Sequence, residues 1–404
     1  MTKNNLIIEN NISNKFLNYK LIKKISKNYK KIFNEILFEK NNPNKIFNLF
    51  SENFRFNFDL NEIQKFKKFK KIAIIGMGGS ILGSEAINNF LEKKKKKKVY
   101  FFDNLEQEKI SNFKKNNKLK NILFIIISKS GNTIETLSNV LYLNIIKKNS
   151  KNIILITEKK NNFLLSLVQK YNLFFVEHKR SIGGRFSVLS EVGLLPAYLM
   201  GINIKKLRLN IKKIFKKKES LILKKSTINL AALLSTKKLT NLIFLNYAPE
   251  LEKFLFWCQQ LIAESLGKNG YGFLPVISNA PKDHHSLLQL YLDGPKDKFF
   301  NIFSIKQKSK EKINMGNIGF HSFLNQKKLD VIKYSQKQAL IKSFKKNKIP
   351  FREFIIKSVD EEVLGKLFSF FILETVIAAK LLKINPFDQP AVEQVKVYTK
   401  NILS

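Results

Sequence analysis

Six consecutive apolar residues, Ile122–Ile127, run into the turn Ser128-Lys129-Ser130-Gly131-Asn132-Thr133-Ile134-Glu135-Thr136, and an apolar-periodic segment follows. That order reads as a strand, a tight polar turn and a helix. The unit recurs. Residues 72–75 form a short apolar run that passes through Gly76-Met77-Gly78-Gly79-Ser80 into a helical pattern over 81–91, and further strand candidates stand at 99–102, 153–157 and 173–176. Strands alternating with helices predict a parallel, doubly wound α/β sheet.

The alternation pauses over a lysine-rich helical stretch at 205–226. It resumes with strand candidates at 242–246, 273–277, 299–304 and 351–356. Two α/β halves are expected, at 61–204 and 205–384. Residues 1–60 are polar, lack glycine and have helical periodicity at Leu21, Ile22, Ile25 and Tyr29, so a helical segment is expected there. Residues 385–404 form a C-terminal segment broken by Pro386 and Pro390.

In open α/β sheets ligands bind beyond the carboxyl ends of the strands, where both glycine and hydroxyl turns lie. A turn carrying Ser128, Ser130 and Thr133 hydroxyls beside Gly131 and opening a helix can cradle a phosphate dianion on backbone N–H groups and the helix dipole. It can equally be a hydroxyl-capped helix start, since Ser, Thr and Asn are ordinary N-cap residues. Gly76 to Ser80 lacks the spacing of a dinucleotide fingerprint, although Asp103 ends the second strand; a close backbone approach with Ser80 near a sugar or phosphate is the better reading.

Further along, Arg185 follows Gly183-Gly184 in a glycine turn. An arginine presented this way can stabilise an oxyanion or make a surface salt bridge. Glu264 lies late in an apolar helix that stops at Gly267. A carboxylate there can move a proton if its pocket is partly desolvated, or stand as an ordinary exposed helix residue. Gln259 or Gln260, on the neighbouring turn, can reach a substrate hydroxyl. Of His284 and His285, adjacent in sequence, at most one can face a site. Nothing local marks Lys396 among so many lysines.

A formal charge of +42 would ordinarily suggest nucleic acid or anionic lipid. The lysines are spread through the whole chain, however, and arginine is scarce, so no nucleic-acid or membrane partner is expected. A single cysteine, Cys258, suits a reducing cytoplasm, and residues 1–11 lack the apolar core of a signal peptide. The greasiest stretch, near 361–382, is interrupted by Lys366, Glu374 and Lys380 and reads as a core helix rather than a membrane span. Four histidines without metal-ligand spacing predict no metal site.

Taken together and in this order, IGMGGSILG, SKSGNTIET, GGRFSVLSEVGLLPA, QLIAESLGKNG and NPFDQPAVEQVK closely resemble the phosphoglucose isomerase family over residues 71–400, with DHHSLLQL as a sixth block. The resemblance implies two sugar-isomerase (SIS) type domains with mainly parallel sheets, interconversion of glucose 6-phosphate and fructose 6-phosphate, no metal or organic cofactor, and a cytoplasmic homodimer with the active site at the subunit interface. On matching positions it implies Glu264 as the base that shuttles a proton through a cis-enediol, and Arg185 as the stabiliser of the enediolate. His285, supplied across the dimer, and Lys396 would open the sugar ring, so that the C-terminal segment completes the site. Ser128, Lys129 (through its backbone), Ser130 and Thr133 would hold the phosphate, and Gly79, Ser80, Gln260 and Gln389 would contact the substrate. Glu191 and His284 depart from the family's usual residues. A bifunctional isomerase accepting mannose 6-phosphate, a sugar-phosphate-binding regulator without catalysis, and a nucleic-acid binder are the competing readings.

Overall fold

A computed structural model describes residues 5–13, 15–306, 309–315 and 322–404; residues 1–4 and 14 of the expected N-terminal segment, and 307–308 and 316–321 of the expected second half, lie outside the described residues. Its strands are β1 (Leu6–Asn11), β2 (Lys71–Ile75), β3 (Lys98–Phe102), β4 (Ile122–Ile127), β5 (Ile153–Thr157), β6 (Phe174–Glu177), β7 (Asn241–Asn246), β8 (Leu274–Asn279), β9 (Lys298–Ile305) and β10 (Phe351–Ile356). They form two five-stranded sheets, ordered β3-β2-β4-β5-β6 and β1-β10-β9-β7-β8. Every pairing is parallel except that of β1 with β10. The doubly wound α/β class expected from the alternation is therefore present twice.

All six residues of β4 are buried, because helices cover both faces of a parallel sheet. Successive side chains of a strand point to opposite faces. Leu123, Ile125 and Ile127 accordingly join the large apolar cluster shared by both halves, while Ile122, Phe124 and Ile126 join the outer cluster of the first sheet. The Leu82–Phe90 helix of the first half packs on the Glu252–Leu266 helix of the second, tying the two sheets together.

The Glu361–Leu381 helix is a core helix, and its one charged residue at full depth has partners. Glu374 accepts hydrogen bonds from Ser226 and from Arg352, which also donates to Asn301.

One expectation needs correction. The first 60 residues do contain the helices Tyr19–Ser26 and Tyr29–Glu39, but they open with strand β1, which adds antiparallel to the second sheet from Leu6↔Ile356 to Asn11↔Phe351. An edge strand has one neighbour and keeps partial contact with solvent, so only Leu6 of LIIENN needs to be fully buried. Its polar residues conceal its strand character.

The first sheet places its ligand crevice by topology. From β2 the chain moves to β3 on one side and then to β4 on the other, so a switch point opens beyond the carboxyl ends of β2 and β4. Gly76 and Ser128 are the residues that follow those ends.

Candidate active site

The turn after β2 is pressed between two backbones and the Gln260 side chain. A Cβ placed on Gly76 would lie 3.0 Å from the Ile127 carbonyl oxygen, and one on Gly79 would lie 2.2 Å from the Gly184 carbonyl carbon. Gly79 is thus required by the close approach of the 184–189 turn. Gly78 has φ +52°, and a Cβ there would lie 2.6 Å from Gln260 Nε2. These contacts join the first turn, the Ser128 turn, the Arg185 turn and the Glu252–Leu266 helix into one continuous site, with Ser80 at the end of the short Gly78–Ser80 helix.

After β4 the Ser128 hydroxyl, buried, meets Thr133 Oγ1 at 2.9 Å and accepts from the Gly131 N–H at 3.2 Å. Ser130 Oγ accepts from the Asn132 N–H at 3.2 Å and lies 3.4 Å from Thr133 Oγ1. Thr133 is the N-cap residue of the Ile134–Leu143 helix, yet its side chain makes no capping hydrogen bond. The hydroxyl that could have capped the helix is turned toward Ser128. The first-turn N–H groups of this helix are thereby left for an acceptor, which favours the anion-cradle reading over the capped-helix reading.

Lys129 points its side chain away from this cradle. Its Nζ donates to the Arg180 carbonyl at 2.9 Å and pairs with Glu158 at 3.4 Å; burial pushes the ammonium below its ordinary pKa, and Glu158 opposes that shift. Beneath the turn, the His178 N–H donates to the Thr157 carbonyl at 2.8 Å and Thr157 Oγ1 donates to the Lys129 carbonyl at 3.4 Å. Burial, with the Lys129 charge adding to it, pushes the His178 imidazole down to about 4.

Arg185 is buried in the short Gly184–Leu189 helix rather than lying at the surface. Its Nη1 donates to Glu264 Oε2 at 3.0 Å and to Gln389 Oε1 at 2.8 Å. Nε donates to Ser265 Oγ at 2.9 Å, and Nη2 donates to the Pro386 and Asp388 carbonyls at 2.5 and 3.0 Å. Burial lowers the guanidinium pKa, and the Glu264 charge opposes the shift. Glu264 sits in the last turn of its helix, where Gln260 Nε2 donates to its Oε1 at 3.0 Å. The carboxylate retains 29% side-chain exposure and opens to a cavity of about 550 Å³ that Lys268, Asp388 and Gln389 also line.

His285 and Lys396 are not brought to this centre. His285 is exposed at the end of the short Lys282–His285 helix; its neighbour His284 accepts or donates a 2.7 Å hydrogen bond with the Tyr247 hydroxyl, and burial lowers the His284 pKa. Lys396 is exposed on the Glu393–Leu403 helix and pairs with Glu393 at 2.6 Å.

Over residues 46–271 the sequence matches the family model described as phosphoglucose isomerase. The chain belongs to the phosphoglucose isomerase family. It is 34% identical to the probable glucose-6-phosphate isomerase of Methanococcus maripaludis, over 96% of this chain and 90% of that protein. It is 33% identical to the glucose-6-phosphate isomerase of Methanocaldococcus jannaschii, over 84% of this chain and 85% of that one. In fold it is similar to a hypothetical protein of Thermus thermophilus, with a TM-score of 0.80 at 23% identity, over 99% of this chain and all of the other.

For this phosphoglucose isomerase family member, sequence reasoning singled out neither Ser265 nor Lys268, although both lie inside a quoted motif. Lys268 Nζ donates to the Asn385 carbonyl at 2.5 Å and to Asp388 Oδ1 and its carbonyl at 2.6 Å, fixing the segment that carries Gln389. That bond holds the Asp388 carboxyl below its ordinary pKa. Among the described residues no helix is long and apolar enough to cross a membrane, and no three His, Cys, Asp or Glu side chains are grouped to hold a metal ion.

Proposed function

We propose that this chain is a glucose-6-phosphate isomerase that interconverts glucose 6-phosphate and fructose 6-phosphate by proton transfer through a cis-enediol. The observation that carries the reading is the Arg185–Glu264 pair, a half-open carboxylate against a buried guanidinium.

In the open-chain aldose, the Glu264 carboxylate takes the proton from C2. The C2–H electron pair becomes the C1=C2 double bond, and the carbonyl oxygen on C1 takes up negative charge. Arg185 stabilises that charge, being cationic and already oriented by its other hydrogen bonds. Glu264 returns the proton to C1, and the proton of the C2 hydroxyl passes to the negative oxygen on C1, so that C1 carries a hydroxyl and the O2–H electron pair becomes the C2=O bond of the ketone. One carboxylate serves both transfers, so a second is not needed. Ser128, Ser130, Thr133 and the Lys129 backbone hold the phosphate, whose binding energy orients the reacting carbons. Gly79, Ser80, Gln260 and Gln389 contact the sugar.

Ring opening falls to His285 of the partner subunit and to Lys396. Both are exposed and away from Arg185 in the single chain, which supports a homodimer whose active site spans the interface. Residues 61–204 and 205–384 act as its two SIS domains, with 1–60 wrapping them and 385–404 completing the site. The reducing cytoplasm, compatible with the lone Cys258, is its place of action.

A coupled assay of fructose 6-phosphate formation tests the reading. Activity is expected with and without chelator, and Glu264→Gln is expected to lower kcat by roughly 10²–10⁴-fold while a phosphorylated sugar acid still binds. Wild-type protein without turnover, or a Glu264→Gln variant with full turnover, sinks the assignment.

A further inference from the structure

The second sheet has a switch point of its own. From β7 the chain moves to β8 on one side and then to β9 on the other, so a crevice opens beyond the paired ends Asn246↔Phe303. Tyr247 follows β7 and Lys306 follows β9, the counterparts in topology of Gly76 and Ser128, and Ser304 lies just inside the end of β9. A cavity of about 570 Å³ lies there, bounded also by β1, β10 and the Leu329–Lys346 helix.

Polar groups form its wall. Lys337 is 3% exposed, pairs with Glu353 and donates to Ser304 Oγ at 3.0 Å. Further along the same helix, Leu340, Ile341 and Phe344 pack apolar against Phe300, Ile302 and Phe351. The helix–sheet contact is thus ionic at Lys337 and Glu353, both of which line the cavity, and apolar farther along. A buried ion pair adds little stability over well-packed apolar residues, so stability alone does not account for it.

The lining charge favours an anion. Lys306, Lys333 and Lys345 reach the cavity and have no ion-pair partner among the described residues. Of the three lining carboxylates, Glu353 is neutralised by Lys337, and Glu9 and Asp330 keep their charge, the latter accepting the backbone N–H groups of Ser309 and Val331, so the three unpaired lysines leave the wall one positive charge in excess. Tyr334, 56% exposed, presents an aromatic ring, and Ile305, Ile341 and Ile355 supply apolar wall.

We propose that this cavity is a second ligand site, for a small phosphate monoester carrying a flat ring, and that its occupancy tunes the turn bearing His285. The link is Tyr247. It lines the cavity, its hydroxyl is 2.7 Å from His284 Nε2, and its ring meets the His284 ring edge-on with centroids 5.7 Å apart. A ligand seated against Tyr247 therefore bears on the residue next to His285. The binding half of the proposal is independent of the isomerase reading, and the effect on turnover rests on it.

Adenosine monophosphate is the probe. Calorimetric titration of the full chain is done with the catalytic site saturated by an equilibrium mixture of the two sugar phosphates. One saturable site is expected, with adenosine and inorganic phosphate each binding at least about tenfold more weakly, and with Lys333→Glu and Tyr334→Ala each weakening binding by about tenfold. Both substitutions alter partly exposed side chains, so folding is spared. In turnover assays the probe is expected to change kcat rather than KM, and Tyr247→Phe to remove that response while leaving the probe bound. No binding, displacement by the sugar phosphates, or indifference to Lys333→Glu and Tyr334→Ala overturns the site; binding without any change in kcat overturns the link through Tyr247. A chain that binds the probe but lacks isomerase activity would retain the site and sink the proposed function instead.

Discussion

Arg185 and Glu264 meet through a single 3.0 Å hydrogen bond from Nη1 to Oε2, and the same Nη1 lies 2.8 Å from Gln389 Oε1. One nitrogen therefore joins the proposed base to the C-terminal segment. The rest of the guanidinium fork is spent on Ser265 and two carbonyls, so the group cannot follow the carboxylate if it moves.

Arg185→Lys keeps the charge but loses the planar fork. A fall in kcat/KM of roughly 10²–10³-fold is expected, comparable to losing an oxyanion donor. Steady-state kinetics on both sugar phosphates would read it, and a loss under threefold would contradict the oxyanion role.

Thr133→Val removes the hydroxyl that meets Ser128 and Ser130 without changing the side chain's volume much. Expected is a drop in kcat/KM of about tenfold, equal to ~1.4 kcal/mol, matched by weaker inhibition by inorganic phosphate. If phosphate inhibition is unchanged, the cradle lies elsewhere.

Lys268→Met frees the 385–388 segment from its anchor. Because Gln389 then drifts relative to Arg185, kcat is expected to fall several-fold while the melting temperature moves little. Parallel assays and thermal scans distinguish this from general destabilisation, which would lower both.

His178 gives a pH signature for stability. Its folded pKa, about 4, is below the ordinary 6.5, so between those values the unfolded chain binds a proton that the folded chain does not. Stability is therefore present above pH 6.5 and is lost as pH falls toward 4, by roughly 3 kcal/mol in total. Urea unfolding across that range should show His178→Gln losing correspondingly less than wild type; identical slopes would refute the assignment.

Among the described residues, nine of the ten strands are legible in the sequence because parallel strands are continuous apolar runs such as ILFIII. β1 is not, since LIIENN needs little burial at a sheet edge. Site residues are harder. Arg185 and Gln389 are 204 positions apart, and no local pattern says that they touch; only the ordered company of motifs does. Lys268 carries no mark among 73 lysines and arginines, because its role is set by the loop it reaches rather than by its neighbours in sequence. The second switch point has no motif, its wall being assembled from β1, β9, β10, one helix and Tyr247 just after β7.

The pairing of β1 with β10 also bears on how the protein is made. Leu6 and Ile356 are partners in one ladder, yet the ribosome releases the first of them almost a whole chain ahead of the second. At about 5–20 residues per second the early strand waits roughly 20 to 70 s for its neighbour. Throughout that interval the complete first half can fold in front of it while an open strand edge trails at the amino terminus. Glu9, Asn10 and Asn11, which make half of this strand polar, suit a sequence that has to remain unattached in the cell until the last strand emerges.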